Sequence, residues 1–224
     1  MVKHISKPTN TKYNLKYTSL EFIKICGITD KEQAKEISNL PITHIGVIHF
    51  TKSPRHIEID KIKEIKGYIN KSVKLVAVVV NPEEDTVLKL LEVADVIQFH
   101  GNESLDFIKK FPKDRVIKAF RVKSKDDLPK MKPFFKEGYT ILIDAYSKDA
   151  YGGTGKQINK ELAKYIVKQY PKTVLSGGLS EENVKELVEY IKPYGVDASS
   201  KLEIKAGIKD IDKVKRFVSI VNSF

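Results

Sequence analysis

Short apolar runs recur along the chain, each followed by an amphipathic stretch. The runs are Phe22 to Ile25, Ile42 to Ile48, Val73 to Val80, Ala94 to Phe99, Val116 to Phe120, Tyr139 to Ile143, Lys172 to Leu175 and Tyr194 to Val196. The stretches that follow them carry apolar residues at helical spacing: Lys31 to Leu40, Asp60 to Ile69, Pro82 to Leu91, Ser104 to Phe111, Asp126 to Phe135, Asn159 to Gln169, Ser180 to Ile191 and Asp210 to Val221. The runs are rich in Val and Ile and do not alternate polar with apolar. Strands of this kind are buried on both faces, which predicts a parallel sheet with helices outside. Eight strand-then-helix units close most naturally as a single (β/α)8 barrel. A doubly wound open sheet is the alternative, but the first turn, Cys26-Gly27-Ile28-Thr29, lacks the G-x-G-x-x-G dinucleotide fingerprint. Residues 1–20 contain Lys, Thr and Asn but no acidic residue and stand outside the repeat, so an N-terminal extension precedes a catalytic barrel over residues 21–224.

Composition narrows the class. The 224 residues are 41% hydrophobic, enough for one sizeable core. A single Cys excludes a disulfide framework and multi-cysteine zinc sites; it fits a reducing, cytoplasmic setting, and no metal is expected. No window is apolar for long enough to cross a membrane. The formal charge is +11, but lysines mingle with glutamates along the helical stretches, as in Lys61 to Lys66 and Lys185 to Glu189. That is a solvated surface rather than a nucleic-acid footprint, since no basic cluster with interleaved aromatics is present. An anionic small substrate agrees equally with the charge. Abundant Lys and Glu without Trp is compatible with a heat-adapted source.

In such a barrel the chemistry lies at the carboxyl ends of the strands. The first end gives Cys26, beside a helix start that Thr29 or Asp30 caps, where a thiolate can be stabilised; a buried structural thiol is the plain alternative. The second opens into His49 to His56, with Arg55 suited to bidentate recognition of a carboxylate or to a surface ion pair. Asn81 and Pro82 after the third strand read as cap and first helical residue. His100 after the fourth is an acid, a base or a pocket wall. Lys118 and Arg121 on the fifth are candidate anion contacts. Asp144 ends the sixth strand, where partial desolvation favours a neutral carboxyl suited to a general acid. Tyr151 to Lys156 is glycine-rich without matching a P-loop, as a cover, a close approach to ligand or a linker. Gly177 and Gly178 follow the seventh strand, Asp197, Ser199 and Ser200 end the eighth, and a helix is expected to begin near Lys209. Backbone N–H groups in two such loops with a helix amino terminus make a phosphate site.

These pieces together resemble the phosphoribosylanthranilate isomerases of tryptophan biosynthesis. The resemblance is carried from about Phe22 onward by KICGIT at 24–29, SPR at 53–55, QFHGNE at 98–103, Lys118-Ala119-Phe120, YGGTG at 151–155, SGGL at 176–179, DASS at 197–200 and GIKD at 207–210. It implies a (β/α)8 barrel without metal or organic cofactor that converts N-(5-phosphoribosyl)anthranilate to 1-(o-carboxyphenylamino)-1-deoxyribulose 5-phosphate by an Amadori rearrangement. It further implies Cys26 as general base, Asp144 as general acid, Arg55, His100 and Asp197 on the substrate, and Gly177, Gly178, Ser199 and Ser200 on its phosphate. Lys201 stands where the family usually has glycine, which implies either backbone strain or an added phosphate contact. A broader-substrate phosphosugar isomerase would need an aspartate in place of Cys26, and a non-catalytic phosphate-binding barrel would not need both Cys26 and Asp144. The expected partner is a phosphorylated small molecule, with no nucleic acid and no membrane, for a monomer or homodimer.

Overall fold

A computed structural model describes residues 19–145 and 159–224. Most of the N-terminal extension and the glycine-rich stretch at 151–155 lie outside the described residues. Eight parallel strands, β1 (Phe22–Cys26), β2 (His44–Ile48), β3 (Lys74–Val79), β4 (Val96–Phe99), β5 (Val116–Val122), β6 (Thr140–Ala145), β7 (Thr173–Leu175) and β8 (Gly195–Ala198), pair in chain order and close β8 onto β1. Between and after them run α1 (Lys31–Ser38), α2 (Ile59–Tyr68), α3 (Glu84–Val93), α4 (Leu105–Ile108), α5 (Leu128–Lys136), α6 (Lys160–Gln169), α7 (Val184–Ile191) and α8 (Ile211–Val221). The expected (β/α)8 barrel is the architecture found.

The two faces of each strand separate cleanly. Ile23, Ile25, Ile45, Val47, Leu75, Ala77, Ile97, Ile141 and Ile143 join helix residues such as Ala34, Ile62, Leu90, Ile166 and Phe217 in one large core between sheet and helices. Phe22, Val76, Val96, Ile117, Ala119, Leu142 and Val174 form a second cluster that contains no helix residue and therefore fills the barrel itself. Because side chains alternate along a strand, the inner set continues toward the carboxyl ends as Lys24 and Cys26 on β1, Gln98 and then His100 on β4, Arg121 on β5, Asp144 on β6 and Asp197 on β8. The barrel is thus apolar at one end and polar at the other. Gly195 permits the closing contact: a Cβ there would stand 2.2 Å from the Phe22 carbonyl oxygen.

Several elements differ from the pattern's expectation. The fourth helix is a single four-residue turn, since Phe111 leaves it to stack on Phe99. The seventh helix begins at Val184, because Asn183 accepts from the Ser180 backbone N–H at 2.9 Å and donates to the Gly178 carbonyl at 2.9 Å, holding the preceding residues in a turn. After β8 the chain makes a short 3-10 turn (Ser200–Leu202) and an antiparallel hairpin, β9 (Glu203–Lys205) with β10 (Ile208–Lys209), before α8, whose cap is Asp210. Among the described residues no helix is long and apolar enough to cross a membrane.

His44 belongs to the inner set. Its ring stacks on Phe22 at 4.0 Å and its Nδ1 lies 2.6 Å from Thr43 Oγ1. Burial, with Lys24 nearby, pushes its pKa down to about 3. An unfolded histidine takes up its proton near ~6.5. Between those values the unfolded chain binds more protons than the folded one, so stability falls as pH drops through this window, by up to ~1.4 kcal/mol per unit from this group. Urea midpoints near pH 7 and pH 5 measure it: His44→Gln, which cannot titrate, should reduce the acid loss by roughly 1–2 kcal/mol relative to wild type.

Candidate active site

Cys26 ends β1 on the inner face and is 6% exposed. Its neighbour across the ladder is Gly46, where a Cβ would meet the sulfur at 2.6 Å; the bare backbone makes room for the thiol. Gly27 follows at φ +82°, and a Cβ there would lie 2.7 Å from Arg55 Cδ and 2.9 Å from Ser199 Oγ. Left-handed backbone and close packing both demand glycine at this point. Ser199 in turn donates to the Cys26 carbonyl at 2.9 Å.

The electrostatics of the thiol differ from the helix-terminus expectation. The start of α1 is already satisfied by Asp30, which accepts from the Gln33 backbone N–H at 2.9 Å. Burial pushes the Cys26 thiol up; Lys24 opposes this most strongly, Asp197 adds to it, and Lys209 and Arg55 oppose it further. Lys24 is fully buried, donates to Gln98 Oε1 and pairs with Asp197 Oδ2 at 3.2 Å. Burial disfavours its charge, but Asp197 and then Cys26 outweigh that and hold its pKa above the ordinary lysine value. Burial also raises the Asp197 carboxyl, against the pull of Lys24 and with the push of Asp144.

Across the mouth, Asp144 is 5% exposed, and His100 Nε2 stands 3.5 Å from its Oδ2, at ion-pair range but without hydrogen-bond geometry. His100 Nε2 and Asp197 Oδ1 are buried polar atoms with no hydrogen-bond partner among the described residues. Unsatisfied acceptors and donors in such a mouth are groups a ligand can satisfy. Arg121 is the ladder neighbour of Asp144.

Arg55 is 8% exposed and bound by Glu203: Nε donates to Oε1 at 2.9 Å and to Oε2 at 3.2 Å, and Nη2 donates to Oε2 at 2.7 Å. Lys209 donates to the same carboxylate at 2.7 Å. Arg55 and Lys209 hold the Glu203 pKa below the usual carboxylate value, although burial acts the other way. Glu203 therefore orients one edge of the guanidinium and leaves its Nη1 corner to other partners.

Lys118 points away from the mouth. Ile117 and Ala119 line the barrel, so Lys118 faces outward, where it donates to Glu103 Oε2 at 2.9 Å and to the Gly101 carbonyl at 2.8 Å. Glu103 also accepts the backbone N–H groups of Asn81 at 2.8 Å and Gly101 at 3.1 Å. The expected anion contact is instead a strut for the loop that carries His100. His49, His56 and Glu58 approach one another after β2, but His49 Nδ1 meets the Ile57 carbonyl at 3.0 Å and His56 Nε2 meets Glu58 at 2.9 Å. They act as loop ties.

The two glycine and serine loops follow paired strands, β7 and β8. Gly177 and Gly178 have φ of +95° and +68°. Ser200 opens the 3-10 turn. The α8 terminus expected at this position is filled by Asp210, which accepts from the Lys213 backbone N–H at 3.1 Å. Lys201 is exposed within the 3-10 turn; the non-glycine residues with positive φ among those described are Asn81 and Lys192, so lysine at the family's glycine position brings no left-handed strain.

Neither Lys24, Gln98, Glu103, Glu203 nor Lys209 was singled out for the site by the sequence pattern. Lys24, Gln98, Glu103 and Lys209 did sit inside motifs; Lys24 and Gln98 stand two residues before Cys26 and His100, and strand alternation places them on the same inner face.

The sequence profile described as N-(5'phosphoribosyl)anthranilate (PRA) isomerase matches residues 23–220. The N-(5'-phosphoribosyl)anthranilate isomerase of Sulfurihydrogenibium sp. (strain YO3AOP1) is 57% identical over 201 residues, 90% of this chain and 98% of that protein. The isomerase of Aquifex aeolicus (strain VF5) is 46% identical over 203 residues, with the same two coverages of 90% and 98%. The crystal structure of phosphoribosyl anthranilate isomerase from Thermotoga maritima superimposes with a TM-score of 0.80 at 28% identity, covering 91% of this chain and 99% of that one. A crystal structure of phosphoribosyl anthranilate isomerase in complex with reduced 1-(o-carboxyphenylamino)-1-deoxyribulose 5-phosphate gives 0.78 at 27% identity over 91% and 99% of the two chains. With a profile running along most of the barrel and relatives covered almost end to end, the chain belongs to the N-(5'-phosphoribosyl)anthranilate isomerase family.

Proposed function

We propose that the chain's isomerisation of N-(5-phosphoribosyl)anthranilate to 1-(o-carboxyphenylamino)-1-deoxyribulose 5-phosphate, its family's step in tryptophan biosynthesis, runs on Cys26 as base and Asp144 as acid. The observation that carries this reading is strand parity. Cys26 and Asp144 share the inner face at the carboxyl ends of β1 and β6, both are buried, and Asp197 is electrostatically coupled to each of them.

Asp144 gives its proton to the ring oxygen, the C1–O bond breaks, and the anthranilate nitrogen supplies the electrons for a C=N bond. That cation acidifies the C2 hydrogen, which the Cys26 thiolate removes, leaving an enolamine. C1 then takes the proton held by Cys26 while the O2 hydroxyl gives its proton to the Asp144 carboxylate. The product is an isomer of the substrate and both side chains return to their starting states. No cofactor is needed for any step.

Binding follows from the remaining groups. Arg55, pre-oriented by Glu203, takes the anthranilate carboxylate with its outer corner. Asp197 Oδ1 and His100 Nε2, the buried atoms without partners, meet the sugar. Gly177, Gly178, Ser199 and Ser200 hold the phosphate by backbone N–H groups, anchoring the end that does not react. A structural relative bound to reduced product supports a site of this chemistry.

Turnover of freshly generated substrate, followed by its fluorescence, tests the assignment. Cys26→Ala and Asp144→Asn should each lose about 10²–10⁴-fold in kcat with unchanged circular dichroism; near-wild-type turnover in either variant removes that residue from its role. Arg55→Lys keeps the charge but loses the fork, and Glu203→Gln keeps the shape but loses the anion that aims it. Both should raise KM by about tenfold or more with a smaller change in kcat; an unchanged KM in the pair would take the carboxylate away from Arg55.

A further inference from the structure

We propose that Lys24 is a positioning residue for the proton transfers, its buried ammonium holding the charge of a Cys26 thiolate and fixing Asp197 beside it. The proposal takes Cys26 as the base, as argued above. An ammonium has three protons to donate and no acceptor. Lys24 finds two acceptors inside the barrel, Gln98 Oε1 from β4 and Asp197 Oδ2 at 3.2 Å from β8, and the Cys26 thiol stands two residues along its own strand on the same face. Stripping an ammonium of water is costly, and one carboxylate with a good hydrogen-bond set suffices to offset it. The thiol is a further neighbour on a side chain that is 0% exposed.

The groups around the thiol make this arrangement consequential. Cys26 is faced by Lys24 from its own strand, Asp197 from β8, Lys209 from β10 and Arg55 from the loop after β2. Arg55 and Lys209 share Glu203, so much of their charge is already spent. Lys24 is faced by Asp197, Cys26 and the neutral His44, and Asp197 by Lys24, Asp144 and His100. Lys24 is therefore the cation that a proton leaving Cys26 affects most, and Asp197 is the anion that competes for it.

The chain has one cysteine, so ¹³Cβ-labelled cysteine gives one resonance whose shift reports thiol ionisation in the folded protein. Lys24→Met should raise the titration midpoint by about one pH unit or more, roughly tenfold in ionisation constant, and Asp197→Asn should lower it. Opposite signs distinguish electrostatics from packing damage, which would move both variants the same way. A Lys24→Met midpoint within about 0.3 unit of wild type, or displacements of one sign in both variants, overturns the proposal. Should Lys24→Met fail to fold, a midpoint in Asp197→Asn that does not fall overturns it alone. The acid limb of kcat/KM for Lys24→Met should follow the resonance. If the resonance moves and the limb does not, Lys24 still governs the thiolate and it is the base assignment of Cys26 that fails.

Discussion

Burying ammonium groups is the constraint on which the polar end of this barrel depends. Lys24, Lys118 and Lys209 are each no more than 2% exposed, and each sits on a carboxylate: Asp197 at 3.2 Å, Glu103 at 2.9 Å and Glu203 at 2.7 Å. A lysine without its partner would leave an uncompensated charge in the interior, a loss of about 3–5 kcal/mol. The partners come from other elements, so the pairs decide where loops lie. Lys24 ties β1 to β8, and Lys118 ties β5 to the loop after β4. Lys209, through Glu203, fastens the terminal hairpin to Arg55 in the loop after β2. All three operate toward the carboxyl ends of the strands, while Phe22, Val76, Val96, Ile117, Leu142 and Val174 fill the barrel with apolar side chains.

The same pairs divide the mouth electrically. The Cys26 side is bordered by Lys24, Arg55 and Lys209, the Asp144 side by His100, and Asp197 stands between. The Cys26 thiol and the Asp144 carboxyl thus meet unlike surroundings within one cavity. Strand alternation supplies them cheaply, because adjacent inner positions on different strands reach different neighbours.

The architecture was legible because it is repetitive. Eight runs of β-branched residues with amphipathic stretches between them leave few closed arrangements, and reading the residues at the carboxyl end of each strand points to Cys26, His100, Asp144 and Asp197, which the structure places around one mouth. Side-chain direction was harder to read. Lys118 has the composition of an anion contact and the parity of an outward residue, and only the inner pair Ile117 and Ala119 reveals which. Glu203 lies outside every motif, and its pairing with Lys209 was invisible because the β9–β10 hairpin has three- and two-residue strands, too short to show a period. At the first turn of α8 the sequence does not say whether a side chain or an outside anion caps the helix; in the structure Asp210 accepts from the Lys213 backbone N–H.

Closure explains why the pieces meet where they do. The seam between β1 and β8 joins residues almost the whole chain apart, and the loops above it are stitched repeatedly. Ser199 donates to the Cys26 carbonyl at 2.9 Å, Thr29 to the Gly207 carbonyl at 2.7 Å and Gln33 to the Lys209 carbonyl at 3.0 Å, while the Lys209 N–H returns to Gln33 at 3.0 Å. Arg55 packs over Gly27 between them. Beyond Lys24 on its own strand, the thiol acquires cations from the second loop and the terminal hairpin, and its carboxylate neighbour from the last strand. None of these is present until the barrel has closed. β1 alone would bring only Lys24 to the thiol, so the rest of its charged surroundings is a property of closure and not of the local motif that first drew attention to it.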